Sequence, residues 1–372
     1  MFRPLWIEVD LAILRKNFFC IKRLLSKDVK VIATIKQSAY GHGLIEVAEE
    51  LVKVGIDFFG VGSLEEAIAL RQAGIKKPIL VLSAVLSKFA NYFVEYKIHP
   101  TVVSLEFAKV LNNVSRKAKK YTPVHVKIDT GMGRLGFYYQ DAYKFIKELT
   151  KLSNLILEGI FTHFPAAEDR EFTQYQIKIF CEFIKNLEKE KIYFKYKHCA
   201  NSMGVLLYPE AHFNMVRPGL ILYGILPAKN IIDIKVKPIL SLKSRVIFVK
   251  EVKKGMGISY SRTFITKTKT KIATVAIGYA DGYPWALSNN AKVIIKDSYF
   301  DLVGRVCMDH IMVNIKNRDD IIVGDEVILI GSKKGLTITA QDLADWAKTI
   351  PYEILSHLSL KIPRIYKNPF KK

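Results

Sequence analysis

Apolar and polar positions repeat along the first 225 residues in one pattern. A short run rich in Val and Ile is followed by a stretch with apolar residues at helical spacing, which predicts strands alternating with helices. The eight predicted strands are 30–36, 57–63, 78–83, 99–104, 124–130, 157–164, 196–202 and 214–220. The predicted helices between them are 45–54, 64–73, 105–114, 139–149 and 172–189.

Eight buried strands alternating with helices predict an α/β fold, a closed (β/α)8 TIM-type barrel. Ser63 and Glu66 form the sequence signature of a capping box at the start of the second of these helices. An open doubly wound sheet is the alternative, and it would carry a GxGxxG turn after its first strand. The first strand is followed instead by QSAYGHG (37–43), which favours the barrel.

After about residue 238 the pattern changes to short alternating runs separated by turn residues. These runs predict strands at 242–249, 271–277, 292–295, 300–306, 311–315 and 325–329, with helices near 339–347 and 352–358. We expect a mostly-β domain here, with the boundary in the loop 226–238. The predicted domains are therefore a barrel over 1–238 and a C-terminal β domain over 239–372.

The chain is strongly basic, with 57 Lys and Arg against 35 Asp and Glu and a formal net charge of +22 in 372 residues. Such an excess can indicate nucleic-acid binding. The basic residues are spread along the chain, however, and none lies in a nucleic-acid motif. We expect no nucleic-acid partner and interpret the charge as solvated surface that also attracts an anionic ligand at long range.

The apolar stretches and cysteines place the chain among cytoplasmic proteins. The longest apolar stretch, 219–226, is far shorter than the roughly 18 residues of a membrane span. Glu8 and Asp10 interrupt any apolar region of a signal peptide. The four cysteines show no CxxC spacing, so we expect no metal site, no membrane partner and a reducing cytosol.

Polar residues collect where the predicted barrel strands end, which is the edge that holds the active site in such barrels. They are Lys36, Lys127, Asp129, Arg134, Thr162, His163, His198, Asn201, Ser202, Arg217 and Gly219.

Lys36 is the most informative of them because it closes an apolar strand. Partial desolvation lowers the pKa of a lysine and favours the nucleophilic free amine that a Schiff base with an aldehyde requires. Alternatively, its stem packs against apolar neighbours and its ammonium group reaches water.

The segments NSMG (201–204) and RPG (217–219) follow the seventh and eighth strands, where barrels often bind a phosphate. A phosphate site together with a Schiff-base lysine implies pyridoxal 5′-phosphate (PLP), and the His163 ring could stack on its pyridine. The alternatives are an ordinary turn for NSMG and a core histidine for His163.

Nine ordered motifs between Trp6 and Pro363 strongly resemble the bacterial alanine racemases, which are PLP enzymes with a barrel and a β domain. The motifs are IKQSAYGHG, KIDTGMGRLGF, FTHF, HCANS, VRPGLILYG, GISYSRTF, GYADGY, GRVCMD and PYEIL.

The resemblance implies a homodimer with shared active sites that acts on alanine by a two-base mechanism. Lys36 would bind PLP as a Schiff base and serve as one base, and Tyr260 of the partner subunit would be the other. Arg217, oriented by His198, would face the pyridine nitrogen. Because arginine keeps its proton, it would leave that nitrogen unprotonated, which favours a racemase over a related decarboxylase.

The resemblance also implies roles for the surrounding residues. The phosphate would be bound by Tyr40, Asn201, Ser202, Gly219, Leu220 and Tyr352. His163 would lie against the cofactor ring, Arg134 would contact its phenolic oxygen, and Met308 of the partner subunit would meet the substrate carboxylate beside Asp309. Tyr279 would line the entrance, and Lys127 matches a position that is often carbamylated.

Four residues depart from the pattern of the family. Gln37 and Ser38 replace the usual Ala and Asn or Asp, Pro165 replaces Ala after THF, and Ser261 replaces the Gly after the second-base Tyr. None of them is a reacting group, so they bear on loop geometry and rate.

We expect an isomerase that supplies D-alanine for peptidoglycan. A racemase for serine or lysine and a non-enzymatic PLP-carrier barrel are the alternatives.

Overall fold

Eight parallel strands form the first of two compact units. The computed structural model describes residues 2–226 and 234–367. The barrel strands are Lys30–Thr34, Phe58–Val61, Ile79–Val81, His99–Val102, Thr122–Asp129, Leu155–Phe161, Tyr196–His198 and Met215–Val216. The first seven pair in parallel with their neighbours in chain order, and the eighth pairs in parallel with the first. The Arg217 amide donates to the Ala200 carbonyl at 2.9 Å, which joins the segments that follow the eighth and seventh strands and closes the barrel.

The predicted barrel is thus confirmed, and all eight predicted strands are present. Its strands are buried on both faces, as parallel strands covered by helices must be. The helices of this unit are Leu11–Lys22, Leu44–Lys53, Leu64–Gln72, Ala90–Glu95, Leu105–Lys117, Ala142–Thr150, Arg170–Lys189 and Ser202–Leu207. The first, the fourth and the last of these were not among the predicted helices.

The second unit is built on a nine-stranded sheet. Its strands are Leu5–Asp10, Leu240–Val252, Thr270–Val275, Lys292–Ile295, Ser298–Leu302, Ile311–Lys316, Glu326–Lys333, Leu336–Ile338 and Arg364–Lys367. Helices Ala340–Ala347 and Pro351–His357 and a small hairpin of Gly257–Ile258 with Phe264–Ile265 complete it. The predicted mostly-β domain is confirmed.

The N-terminal strand belongs to this second unit. Leu5–Asp10 pairs antiparallel with Leu240–Val252 and parallel with Arg364–Lys367. One unit therefore comprises Met1–Ile13, Tyr40–Gly43 and Pro238–Lys372, and the other comprises Leu14–Ala39 and Leu44–Lys237. Residues 227–233 of the predicted boundary loop lie outside the described residues. Among the described residues, no helix has the length and apolar character needed to cross a bilayer.

A left-handed turn follows the first barrel strand. Gln37, Ser38, Ala39 and Tyr40 have φ values of 53–54°, and the Ala39 amide donates to the Ile35 carbonyl at 2.8 Å. Residues with a Cβ pay roughly 1–2 kcal/mol each for this conformation, and Asn or Asp tolerates it better than most. This explains why a departure at Ser38 from the usual Asn or Asp bears on the geometry of this loop.

Glu66 braces the left-handed turn. Its Oε1 accepts from the Ser38 amide at 3.0 Å and its Oε2 accepts from the Gly62 amide at 2.9 Å. Half of the predicted capping box is confirmed, since Ser63 Oγ accepts from the Glu66 amide at 3.3 Å. The other half is wrong, because the Glu66 carboxylate is used by Ser38 and Gly62 and not by the Ser63 amide. One carboxylate therefore joins the strained turn to the end of the second strand.

We expect Glu66→Gln to lower the free energy of unfolding by about 1–3 kcal/mol, because an amide group offers one acceptor where the carboxylate offers two. Urea unfolding measures this loss, and faster amide exchange at Ser38 or Gly62 locates it. Glu65→Gln is the matched control, since Glu65 is the exposed neighbour in the same helix. Equal losses in both variants, with exchange unchanged at both amides, would show that Glu66 braces nothing.

Candidate active site

Four cationic side chains surround the end of the barrel at which its strands terminate. Lys36 and Arg134 follow the first and fifth strands, Lys127 lies within the fifth, and Arg217 follows the eighth. Lys127 and Arg217 are buried. None of the four has a carboxylate oxygen within 4.0 Å among the described residues. Such a set of charges, left without carboxylate partners, attracts an anionic ligand.

These groups shift one another's pKa values, which indicates that they lie close together. Burial lowers the pKa of Lys36, and Arg134 lowers it further, while Glu66 opposes the shift. Burial, Arg217 and Arg134 lower the pKa of Lys127 to about 8. The pKa of His163 lies well below its usual value because of burial and then of all four cations. The predicted grouping of Lys36, Lys127, Arg134, His163 and Arg217 thus agrees with the electrostatics.

Asp129 lies near these cations but is occupied by its own loop. Its two carboxylate oxygens accept hydrogen bonds from the amides of Gly131, Met132 and Gly133 at 2.8–2.9 Å. It therefore shapes the loop that leads to Arg134 and does not form an ion pair with the lysine two residues before it.

Arg217 is held by neutral acceptors. Its guanidinium donates to His198 Nδ1 at 2.7 Å, to the Thr162 carbonyl at 2.7 Å and to the Cys199 carbonyl at 3.0 Å. His163 Nδ1 lies 3.4 Å away. Burial lowers the pKa of Arg217 to about 10, so the side chain keeps its charge at neutral pH.

Phe161 is a residue that the sequence reasoning missed. Its ring is stacked on His198 with centroids 4.7 Å apart. The Arg217 guanidinium lies 5.1 Å and the Lys127 ammonium 5.5 Å from its centre. The ring attracts both cations through its face. Its position as the first Phe of the FTHF motif is the sequence feature that could have identified it.

The loops after the seventh and eighth strands contact each other. Ser202 Oγ accepts from the Gly219 amide at 2.9 Å, and a 3-10 turn begins at Leu220. Asn201 caps the helix Ser202–Leu207 by accepting from the Gly204 amide at 2.9 Å, and its amide group donates to the Phe164 carbonyl at 3.3 Å. Both ends of the Asn201 side chain are thus used within the fold, so it orders this loop. Backbone amides at such turns suit an anion.

The remaining predicted site residues lie in the second unit. Tyr40 and Tyr352 are neighbours there, with ring centroids 6.0 Å apart, and burial raises the pKa of Tyr352. The Tyr279 amide donates to the Cys307 carbonyl at 3.0 Å, and the Ala280 amide to the Met308 carbonyl at 3.1 Å. Asp309 lies 3.6 Å from Arg3 through its carboxylate.

The loop around Tyr260 is hydrogen-bonded to the segment 303–310, which connects two strands of the second unit and contains Met308. Ser259 Oγ donates to the Arg305 carbonyl at 2.7 Å, so the GISYSRTF, GYADGY and GRVCMD motifs meet. Tyr260, Tyr279 and Met308 remain exposed, with 69%, 45% and 54% of their surface accessible. Ser261 has a φ of 57°, which explains why Gly is usual at that position.

Comparison with known proteins identifies the family of this chain. The family model described as "Alanine racemase, N-terminal domain" matches residues 9–227, and "Alanine racemase, C-terminal domain" matches residues 239–366. An alanine racemase of Halothermothrix orenii is 42% identical over 98% of this chain and 97% of its own length. Alanine racemase 1 of Caldanaerobacter subterraneus subsp. tengcongensis is 41% identical over 98% of this chain and 95% of its own length.

Solved structures that are similar to this chain are also alanine racemases. The alanine racemase of Clostridium difficile 630 in complex with cycloserine has a TM-score of 0.91 and 39% identity, covering 98% of this chain and 96% of its own. The alanine racemase of Bacillus anthracis with bound L-Ala-P has a TM-score of 0.93 and 35% identity, covering 99% and 96%. The resemblance inferred from the motifs is confirmed in both domains, and the chain belongs to the alanine racemase family.

Proposed function

We propose that this protein is a PLP-dependent alanine racemase that interconverts L- and D-alanine by a two-base mechanism as a homodimer. The observation that carries the proposal is the partly buried Lys36 amine, grouped with Lys127, Arg134 and Arg217, none of which has a carboxylate partner within 4.0 Å in the described residues. Relatives similar over the whole chain are named alanine racemases, and two solved neighbours hold cycloserine or L-Ala-P.

The residues present fit PLP. A phosphate ester and a phenolate are anionic, and within the described parts of the chain no carboxylate forms an ion pair with these cations that would compete with them. Ser202, Gly219 and Leu220 would hold the phosphate with Tyr40 and Tyr352, Arg134 would face the phenolic oxygen, and His163 would lie on the ring. When bound, PLP withdraws electrons from the α-carbon of an attached amino acid and makes its proton acidic.

Lys36 is suited to bind the cofactor covalently and to carry a proton. A lowered pKa increases the fraction of neutral amine at neutral pH, and a neutral amine is both the nucleophile and the base. Arg217 would donate to the pyridine nitrogen. Because it keeps its charge, it does not protonate that nitrogen, and this favours racemisation over decarboxylation.

The second base would be Tyr260 of the partner subunit. Racemisation removes the α-proton from one face and returns a proton to the other, so two proton carriers must oppose each other. The exposure of Tyr260, Tyr279 and Met308 supports a surface that a second copy of the chain covers. The Met308 amide of the partner subunit would then meet the substrate carboxylate, and Tyr279 and Tyr352 would restrict the entrance to small side chains.

No observation favours the alternatives. A single-barrel PLP carrier lacks the second domain, whereas this chain matches both domains of the family. A preference for serine or lysine would need a wider entrance than Tyr279 and Tyr352 would leave. We place the reaction in the cytoplasm, where D-alanine would be supplied for peptidoglycan.

Borohydride reduction of the yellow holoenzyme is expected to fix the pigment to Lys36, and Lys36→Ala is expected to abolish both the pigment and racemisation. Peptide mapping and a chiral assay across all L-amino acids measure the two effects. Lys30→Ala, at the exposed start of the same strand, should keep both. Label recovered on another lysine would refute the site.

Tyr260→Phe should slow exchange of the α-proton with solvent by about 100-fold from one enantiomer of alanine and far less from the other, since it removes one of two general bases. Deuterium incorporation from D2O into each enantiomer measures this. Tyr193→Phe is the matched control, because Tyr193 has 66% of its surface accessible and lies in no site motif. Equal slowing from both enantiomers would contradict the two-base scheme.

Carbamylation of Lys127 is expected to depend on pH. Only the neutral amine adds CO2, and a pKa of about 8 means that the neutral fraction rises from roughly one tenth at pH 7 to one half at pH 8. The carbamate is anionic and would pair with Arg134 or Arg217. At fixed dissolved 13CO2 the carbamate NMR signal should grow over this range and disappear in Lys127→Arg. A signal that persists in that variant would assign the carbamate elsewhere.

A further inference from the structure

A line of buried polar side chains runs through the barrel interior away from Arg217. The Arg217 guanidinium lies 2.7 Å from His198 Nδ1, and His198 Nε2 lies 2.8 Å from His125 Nδ1. His125 Nε2 in turn lies 4.0 Å from Glu158 Oε2. All three ring and guanidinium groups are buried.

Arg217 determines the tautomers of both histidines. Arginine only donates hydrogen bonds, so His198 Nδ1 must accept. Burial, followed by Arg217 and His125, lowers the pKa of His198 far below its usual value, and the ring is neutral. A neutral ring that accepts at Nδ1 carries its proton on Nε2, and His198 therefore donates to His125 Nδ1.

The same reasoning applies to His125. Its pKa is also far below the usual value, because of burial and then of His99 and Arg217, so it too is neutral. Since its Nδ1 accepts, its Nε2 must carry the proton. That N–H is buried and has no hydrogen-bond partner among the described residues. The carboxylate of Glu158 is the charged group facing it.

Glu158 is positioned to receive this N–H. Its Oε2 is itself buried without a hydrogen bond among the described residues, although His99 Nδ1 lies 3.1 Å away. Burial raises the pKa of Glu158, but His99 and Lys195 outweigh it and hold the pKa below its usual value, so the group is charged. Gly159 leaves room for the ring, since a Cβ there would lie 2.3 Å from His125 Nδ1.

These atoms also resemble a metal site. One donor atom from each of His99, His125 and Glu158 lies within 4.8 Å of the others, and two histidines with a carboxylate suit several transition metals. A metal would require a lone pair on His125 Nε2. That would place the proton on Nδ1, facing the proton that Arg217 imposes on His198 Nε2. The tautomers therefore disfavour a metal.

We propose that Glu158 is a positioning residue for Arg217, acting through His125 and His198. Its negative charge attracts the His125 Nε2–H that Arg217 imposes, and this attraction holds the two rings and the guanidinium in one place and orientation. No proton is transferred along the line. The inference rests on the proposed function, in which Arg217 faces the pyridine nitrogen of PLP. It adds a carboxylate at the opposite end of the line as the group that maintains that contact.

The tautomers test the proposal independently of activity. In holoenzyme labelled with 15N-histidine, His125 and His198 are expected to show a protonated Nε2 and an unprotonated Nδ1, assigned with His125→Asn and His198→Asn. A protonated Nδ1 in either ring would overturn the proposal. If the tautomers are as expected and alanine is not racemised, the proposed function fails and the assignment of the line stands.

Variants of Glu158 test the positioning itself. Glu158→Leu is expected to lower kcat by roughly tenfold, as the loss of an outer supporting group commonly does, to leave the KM for alanine within about twofold, and to shift the 15N signal of His125 Nε2 while both tautomers stay as Arg217 imposes them. Glu158→Gln keeps an acceptor oxygen and should retain most of kcat. Should Glu158→Leu fail to fold, Glu158→Gln decides the question, because loss of the charge must still shift the His125 Nε2 signal.

Glu188→Gln is the matched control, because it breaks a part-buried ion pair with Lys197 outside the line. It should leave kcat and both tautomers unchanged. A loss of kcat in the control as large as in Glu158→Leu, or an unchanged His125 Nε2 signal in Glu158→Leu, would overturn the proposal. So would stoichiometric binding of Zn2+ alone that shifts the His99 and His125 signals and is lost in Glu158→Gln.

Discussion

The site depends on the burial of positive charge that no carboxylate of the described residues pairs with directly. Desolvating a cation is costly, and proteins usually offset this cost with an adjacent carboxylate. Here Arg217 is buried among carbonyl oxygens, an imidazole and the face of Phe161, and Lys127 is buried beside the same ring. The free energy of this arrangement is least favourable when nothing anionic is bound. An anionic cofactor would relieve the repulsion, so the repulsion among the cations at the barrel mouth is at the same time the source of its affinity for an anion.

Backbone strain is placed at two of the motifs that the chemistry would use. The four residues that directly follow Lys36 have left-handed φ values, and so does Ser261 beside Tyr260. Such conformations persist only where the surroundings hold them. Glu66 does this for the first turn through two amides, and Ser259 holds the Tyr260 loop through the Arg305 carbonyl. The departures at Gln37, Ser38 and Ser261 lie at these strained positions, where a change of residue alters backbone cost while leaving the reacting groups in place.

Much of this could be predicted from the sequence, because the periodic apolar runs are a local property. The eight barrel strands and the strand-end residues followed from that pattern, and the motifs supplied their roles. What could not be predicted depends on contacts between distant residues. The strand Leu5–Asp10 forms against Leu240–Val252 and Arg364–Lys367, far away in the chain. The carboxylate of Glu66 matched a capping box in sequence, yet it serves a turn 28 residues earlier.

The histidines show the same limit most clearly. From sequence alone, His163 could be a core residue or a cofactor neighbour, His198 was a support for Arg217, and His125 was one more residue within a buried strand. Their roles depend on which nitrogen carries the proton, and that depends on a partner at the end of a line of side chains from several strands. Because arginine cannot accept a hydrogen bond, one residue after the eighth strand decides the proton positions in the seventh and the fifth. The requirement for an acceptor then reaches the sixth strand, at Glu158. A carboxylate there would support Arg217 from a distance, so that no carboxylate needs to pair directly with the cations at the barrel mouth, which leaves them available to an anionic cofactor.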